Sequence, residues 1–104
     1  MATATIPQSL SERLLTLVKI DSVIRHEEAL CEFFCQRAEA WTDYSLQRVG
    51  RSIALRPKAR RHEQLVCLAG HLDTVPPAGE NPPRIADGRV WGLGSADMKA
   101  GLAL

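Results

Sequence analysis

Three side chains in this sequence, His71, Asp73 and Asp97, have both the type and the position to bind a metal ion or transfer protons, and two of them are nearly adjacent. His71 and Asp73 are separated by one residue and follow the apolar run LVCLA at residues 65–69. In an extended backbone, side chains two residues apart point to the same side, so the Asp73 carboxylate can accept a hydrogen bond from one imidazole nitrogen of His71. That bond fixes the tautomer and leaves the other nitrogen free to bind a metal ion. The same pair could instead act as a general base beside a serine or cysteine nucleophile.

Asp97 is the third such residue, and it follows the loop GLGSA at residues 92–96. The two glycines of this loop allow backbone conformations that other residues avoid. A carboxylate placed there, at the entrance to a helix, could bridge two metal ions. The alternative is a structural role for Asp97 as the N-cap of the helix that follows.

Two helices are predicted in the first part of the chain, ahead of the three candidate site residues. Ser9 and Glu12 have the spacing of a capping box, which predicts the start of a helix. Leucines recur at helical spacing from there to about residue 20. A second helix is predicted at about residues 27–41, and its apolar side carries Leu30, Phe33, Phe34 and Trp41.

Strand patterns follow the two helices. The period of the pattern changes to two near residue 45, which predicts a hairpin over residues 45–56. The run LVCLA is of strand length and continuously apolar, which is typical of a strand buried on both faces. Asp87-Gly88 predicts a second hairpin turn, and a helix is expected from about Met98. Two helices followed by a mixed sheet predict an α/β domain, with residues 70–76 at the strand end where such sheets place their sites.

Composition limits the function classes that are open. The 104 residues suffice for one small domain, and a net charge of +1 argues against nucleic acid or an anionic membrane as the main partner. No apolar run approaches the ~20 residues that span a bilayer. The N-terminus has neither the basic start nor the apolar segment of a secretory signal. An odd number of cysteines, three, favours reduced thiols and a cytoplasmic location.

Two segments occur together and in order: GHLDTVPP at residues 70–77 and DGRVWGLGSADMKAGLAL at residues 87–104. Together they resemble the metallopeptidase and deacylase family that includes succinyl-diaminopimelate desuccinylase, acetylornithine deacetylase, aminoacylase and carboxypeptidase G. Residues 49–76 are similar to the paired strands that precede the family's first metal ligand, so the resemblance covers nearly all of the chain. The compact linker at residues 76–101 looks most like the succinyl-diaminopimelate desuccinylase branch.

The resemblance implies a fold, a cofactor and roles for the three residues. Residues 1–104 would be the N-terminal portion of a zinc-exopeptidase-like catalytic domain, without the lid domain, from an enzyme that is a homodimer when intact. His71 would bind one of two zinc ions, for which cobalt can substitute, and Asp97 would bridge both. Asp73 would orient the imidazole and raise its basicity, and the peptide bond between Asp97 and Met98 would be cis. The implied reaction is hydrolysis of an amide bond in an N-acyl amino acid or a short peptide.

The same resemblance implies residues that this chain lacks. The family carries two adjacent glutamates downstream of the bridging aspartate, the first as general base and the second as ligand, and further ligands later in the chain. Glu27-Glu28 lies upstream and is interpreted as charge at the positive end of a helix. The chain alone is therefore expected to be inactive. Acetylornithine deacetylase, dipeptidase and carboxypeptidase remain alternatives, and a different class, a non-catalytic binding or vestigial domain, also stays open.

The other cysteines and histidines are interpreted structurally. Cys31 and Cys35 could share a metal ion at helical spacing, but beside two phenylalanines they are expected in the core. Cys67 lies in LVCLA and is expected to be packed there, a poor position for a nucleophile that would use His71 as its base. His26 and His62 are expected to be solvated.

Overall fold

Helix α1 starts where the capping pattern predicts. The computed structural model describes residues 9–104, and α1 spans Leu10–Val18. The hydroxyl of Ser9 accepts a hydrogen bond from the backbone N–H of Glu12 at 3.2 Å, which satisfies one of the free donors of the first turn. The helix ends at Val18, slightly before the predicted end near residue 20.

Helix α2 spans Glu28–Ala38 and is shorter than the predicted helix over residues 27–41. Its buried residues are Leu30, Cys31, Cys35 and Ala38. The prediction that Cys31 and Cys35 lie in the core is therefore confirmed. Trp41 lies beyond the helix and its surface is 46% exposed, so its expected place on the apolar side is wrong.

Both predicted hairpins are present. Strand β1, Tyr44–Val49, pairs antiparallel with β2, Ser52–Pro57. Strand β3, Arg84–Ala86, pairs antiparallel with β4, Arg89–Trp91. The turn between β3 and β4 has positive φ at Asp87 (54°) and Gly88 (69°), the combination that a type I′ hairpin turn requires.

The predicted buried strand LVCLA is wrong for the residues that the structure describes. Residues 65–69 form no strand, and Leu65, Val66 and Leu68 are exposed by 77%, 82% and 94%. Cys67 is exposed too, which corrects its expected packing. Within residues 9–104 the sheets are two separate antiparallel pairs and not a mixed sheet, so no neighbouring strand offers hydrogen bonds to this run.

The core lies between the helices. Ala100–Ala103 form the short helix α3, and Leu17, Leu30 and Ala103 from the three helices are buried together. Leu72, the residue between His71 and Asp73, packs against this cluster and so joins the candidate site to the core. Three helices with two small sheets make this an α/β chain. None of the helices described over residues 9–104 has both the length and the apolar character that crossing a membrane requires.

Candidate metal centre

The segment that carries His71 and Asp73 is held by a neighbouring stretch of chain. Leu72 packs against the core. On either side of it, the side chains of His71 and Asp73 are 47% and 39% exposed to solvent. The hydroxyl of Ser22 donates to the carbonyl of Leu72 at 2.7 Å, and the N–H of Thr74 donates to the carbonyl of Ser22 at 2.8 Å. The expected placement of both polar side chains on one side is confirmed.

Asp97 lies in a kinked turn, Ser95–Lys99, that leads into α3. The turn follows Gly94, whose φ of 78° places it in the left-handed region that favours glycine. Asp97 itself is extended (φ −124°, ψ 97°), and the N-cap of α3 is Lys99, so Asp97 is not the N-cap of that helix. The peptide bond between Asp97 and Met98 is cis, as the resemblance implied.

The two segments touch each other directly. The backbone N–H of His71 donates to the sulfur of Met98 at 3.1 Å. A Cβ atom on Gly70 would lie only 2.9 Å from the terminal methyl of Met98, and one on Gly94 would lie 2.5 Å from Thr74 Cγ2. Glycine at both positions therefore allows the close approach of the two segments.

The three predicted site residues converge around the imidazole of His71. Its Nε2 lies 3.0 Å from Oδ1 of Asp97. Its Nδ1 lies 3.3 Å from Oδ1 of Asp73 and 3.1 Å from the Asp73 carbonyl oxygen. One ring nitrogen thus faces each aspartate, which leaves neither for Cys67, so the geometry gives no support to a cysteine nucleophile activated by His71.

The surroundings of His71 raise its pKa. Desolvation acts in the opposite direction and favours the neutral ring. The carbonyl of Asp73, the hydrogen bond to the Asp97 carboxylate and the negative charges of both aspartates outweigh it, so the pKa of His71 lies above its ordinary value.

The donor set fits a zinc ion in part. Imidazole nitrogen and carboxylate oxygen are both zinc ligands at about 2.0–2.2 Å, and two ligands of one tetrahedral ion lie about 3.3 Å apart. The 3.0 Å separation of Nε2 and Oδ1 is close to that value, and Asp73 lies where it could hold Nδ1 protonated, which would leave Nε2 free for an ion. The part of the chain that the structure describes contains no cluster of three or more His, Cys, Asp or Glu side chains suited to a metal ion. These residues can therefore form only part of a coordination shell.

Sequence reasoning missed two residues that tie the site to the helices, Ser22 and Lys99. Lys99 is 2% exposed, and its ammonium donates to the carbonyl of Ile20 at 2.6 Å. Burial lowers the pKa of Lys99, and the charge of Asp21 opposes this effect. Lysine side chains are ordinarily exposed at the surface. Lys99 and Ile20 are 79 residues apart in the chain, so no local sequence pattern predicts their contact. His26 and His62 are exposed, as predicted.

Residues 67–104, which include all three site residues, match the model of Peptidase family M20/M25/M40. Over this segment the chain is similar to that family. The matched segment begins within the exposed apolar run and extends through α3, so it contains both the His71 segment and the Asp97 turn.

Curated proteins from three organisms show how far the similarity extends. A protein of Thermococcus kodakarensis, provisionally named LysW-lysine/LysW-ornithine hydrolase, is 42% identical over 94 residues, 88% of this chain and 26% of that protein. The succinyl-diaminopimelate desuccinylase of Psychrobacter sp. is 34% identical over 113 aligned positions, 92% of this chain and 28% of that protein. The succinyl-diaminopimelate desuccinylase of Corynebacterium glutamicum is 46% identical over 59 residues, 57% of this chain and 14% of that protein.

The chain spans about a quarter of the length of the first of these relatives. No solved structure matches it.

Proposed function

We propose that this chain is the N-terminal part of the catalytic domain of a zinc-dependent amidohydrolase, and that the substrate is N-succinyl-diaminopimelate. The observation that carries the proposal is the approach of His71 Nε2 to Asp97 Oδ1 at 3.0 Å, between segments 26 residues apart. The match of residues 67–104 to the peptidase family supports amide hydrolysis. The printed names of the Psychrobacter and Corynebacterium relatives support the desuccinylase reaction.

In this proposal His71 and Asp97 hold metal, and Asp73 keeps the imidazole in the tautomer that presents Nε2. A bound zinc ion would lower the pKa of a water ligand and polarise the amide carbonyl. The side chain of Asp97 is 82% exposed, so the carboxylate can meet a second ion or a substrate without any rearrangement of the core. The contact of Leu72 with the core fixes the position of the imidazole against α1 and α2.

A zinc site needs about four ligands, and this chain supplies two. We propose that the remaining ligands, the glutamate base and the lid domain with its dimer contact belong to parts of the protein outside residues 1–104. Residues 1–104 then form a partial catalytic domain that is inactive alone. The thiols of Cys31, Cys35 and Cys67 are free, which favours the reducing cytoplasm as the location.

A second candidate substrate comes from the Thermococcus kodakarensis relative. That protein is named for hydrolysis of LysW-lysine and LysW-ornithine, and it aligns with 88% of this chain at 42% identity. The metal-binding roles proposed for His71 and Asp97 would be the same for either substrate. The groups that recognise the acyl and amine sides of the amide would differ.

The test uses the complete product of the reading frame that encodes this chain, supplied with zinc. Release of succinate from N-succinyl-diaminopimelate is measured beside hydrolysis of N-acetylornithine, a LysW-lysine conjugate and a dipeptide. We expect succinate release, with His71→Ala and Asp97→Ala each removing activity and lowering bound zinc. His62→Ala, which changes an exposed histidine in a loop, is the matched control and should keep both.

Each outcome has a distinct meaning. Hydrolysis of another substrate, lost in the same variants, would keep the metal-dependent amidohydrolase and replace the substrate. A protein that neither hydrolyses any of these amides nor takes up zinc through His71 would overturn the proposal in favour of a non-catalytic binding or vestigial domain.

A further inference from the structure

Both ligand-bearing segments are attached to the same short stretch of chain, residues 20–24 between α1 and α2. On one side, Ser22 donates its hydroxyl to the Leu72 carbonyl, and the N–H of Ile24 donates to the Thr74 carbonyl at 2.9 Å. On the other side, the Lys99 ammonium donates to the Ile20 carbonyl at 2.6 Å. Residues 20–24, the anchor segment, therefore connect the His71 segment to the Asp97 turn through a second route, apart from the direct contact at Met98.

Lys99 is an unusual residue to place at such a connection. Its ammonium is removed from water, which costs free energy unless hydrogen bonds compensate. An apolar side chain of similar length would fill the same space without that cost. What the lysine adds is a charge-assisted hydrogen bond to one particular carbonyl, and such bonds are shorter and more directional than packing contacts. The lysine is two residues from Asp97, so fixing its ammonium also fixes the turn that carries the carboxylate.

Ser22 shows the same pattern on the opposite side. It is 1% exposed, and its hydroxyl is committed to the carbonyl of Leu72, the residue between His71 and Asp73. Its own carbonyl accepts from the N–H of Thr74. The hydrogen bonds on Leu72 and Thr74 bracket Asp73, and they hold the segment whose imidazole must face Asp97.

We propose that Lys99 is a positioning residue for the metal centre, and that it works with Ser22 through the anchor segment to set the distance between His71 and Asp97. Neither residue touches the metal ligands' functional atoms, so their effect is entirely on geometry. This inference rests on the proposed metal site and goes beyond it by assigning a role to two buried polar residues that the reaction itself does not use.

The test compares Lys99→Met and Ser22→Ala in the complete product of the reading frame. Methionine has a similar length but no charge or donor, so Lys99→Met removes the bond to Ile20 and the electrostatic interaction with Asp21 while it fills similar space. The matched controls are Lys58→Met and Ser45→Ala, which change an exposed lysine and an exposed serine outside the site. Ser22→Thr retains the hydroxyl and is the conservative variant expected to restore the behaviour of the unmodified protein.

Two readouts separate positioning from general stability. In metal-free protein labelled with ¹⁵N-histidine, the ring nitrogen shifts of His71 report its contact with Asp97. We expect this signature to be lost in Lys99→Met and Ser22→Ala and kept in the controls. In cobalt-loaded protein, we expect affinity to fall by about 10–100-fold, as is typical when the support of a ligand is removed, with a changed visible spectrum.

The proposal is overturned if Lys99→Met lowers the thermal unfolding midpoint but leaves the His71 ring shifts and cobalt affinity unchanged. If Lys99→Met does not fold, Ser22→Ala with its threonine rescue decides in the same way. If the unmodified protein takes up no cobalt through His71, the proposed function fails, while the ring shifts of the metal-free variants still decide whether Lys99 and Ser22 position the histidine.

Discussion

His71 Nε2 and Asp97 Oδ1 lie 3.0 Å apart, and the backbone N–H of His71 donates to the sulfur of Met98, the residue after Asp97. Contacts within residues 9–104 therefore join the two segments that carry this pair. Side chains held in this way would lose less conformational freedom on binding an ion, which would lower the cost of binding.

The first prediction concerns pH. The pKa of His71 is raised because the Asp73 carbonyl and the two carboxylates outweigh desolvation. A raised folded-state pKa means that the protonated histidine contributes stability that is fully present below the unfolded-state pKa of about 6.5. This contribution is lost as the pH rises through the higher folded-state pKa. We therefore expect the thermal unfolding midpoint of metal-free protein to fall over that window, and Asp97→Asn to reduce the fall.

The matched control for this prediction is Asp43→Asn, which changes an exposed aspartate outside the site. It should leave the pH profile unchanged. An NMR titration of His71 in the same three proteins gives an independent measure, because loss of the Asp97 charge should bring the pKa of His71 down. Identical titration curves in the presence and absence of the Asp97 carboxylate would contradict the prediction.

The second prediction concerns Asp73 as the partner of the imidazole. Asp73→Asn keeps the size of the side chain but removes the charge that faces Nδ1 at 3.3 Å. Partners of this kind typically change metal affinity or activity by about 10–100-fold when they are mutated. We expect zinc affinity, measured by competition with a chromogenic chelator in the complete gene product, to fall by that amount. Asp87→Asn, in the β3–β4 turn, should have no such effect, and equal affinities in the two variants would remove Asp73 from the site.

Local sequence signals were sufficient for the parts of the structure that depend on neighbours in the chain. The Ser9 cap, the Asp87-Gly88 turn and the common orientation of His71 and Asp73 each follow from a few adjacent residues. The buried strand over residues 65–69 was predicted wrongly because an apolar run indicates burial only when other strands cover it. Within the described residues no strand does so.

The support of the site could not be predicted from sequence for a different reason. The bond from Lys99 to the Ile20 carbonyl and the bond from Ser22 to the Leu72 carbonyl join residues 79 and 50 positions apart. Each acceptor is a backbone oxygen, so the identity of the acceptor residue carries no signal. These two hydrogen bonds are apparent only from the structure, in which the lysine and the serine are buried.

The third prediction concerns Gly92, which joins β4 to the Asp97 turn. Its φ is 146°, and a Cβ atom there would lie 2.1 Å from Val18 Cγ1 in α1. Gly92→Ala must therefore strain the backbone, at about 1–3 kcal/mol, and also displace the Val18 side chain. Gly50→Ala is the matched control, because Gly50 has a φ of 59° but open space around it. We expect a clearly larger loss of unfolding free energy in urea for Gly92→Ala, and equal losses would show that the contact with Val18 is relieved at no cost.

The last prediction concerns self-association through residues 65–68. Leu65, Val66 and Leu68 expose most of their surface in one short run, and residues 65–69 have no strand partner in the described structure. Apolar segments with unpaired backbone groups tend to pair with other chains, and a charge on the segment opposes this. We expect the 104-residue chain to associate or aggregate, and Leu68→Lys to shift it toward monomer in analytical ultracentrifugation.

The control for Leu68→Lys is Val49→Lys, which adds the same charge at an exposed apolar residue (69%) of the β1–β2 hairpin. If both variants shift the chain toward monomer equally, the added charge is the cause and residues 65–68 are not the site of association. If only Leu68→Lys does so, association occurs through residues 65–68. That result would also show why these residues need a cover in the complete protein, because the same run leads directly into Gly70 and His71. A neighbouring strand there would hold His71 from its other side.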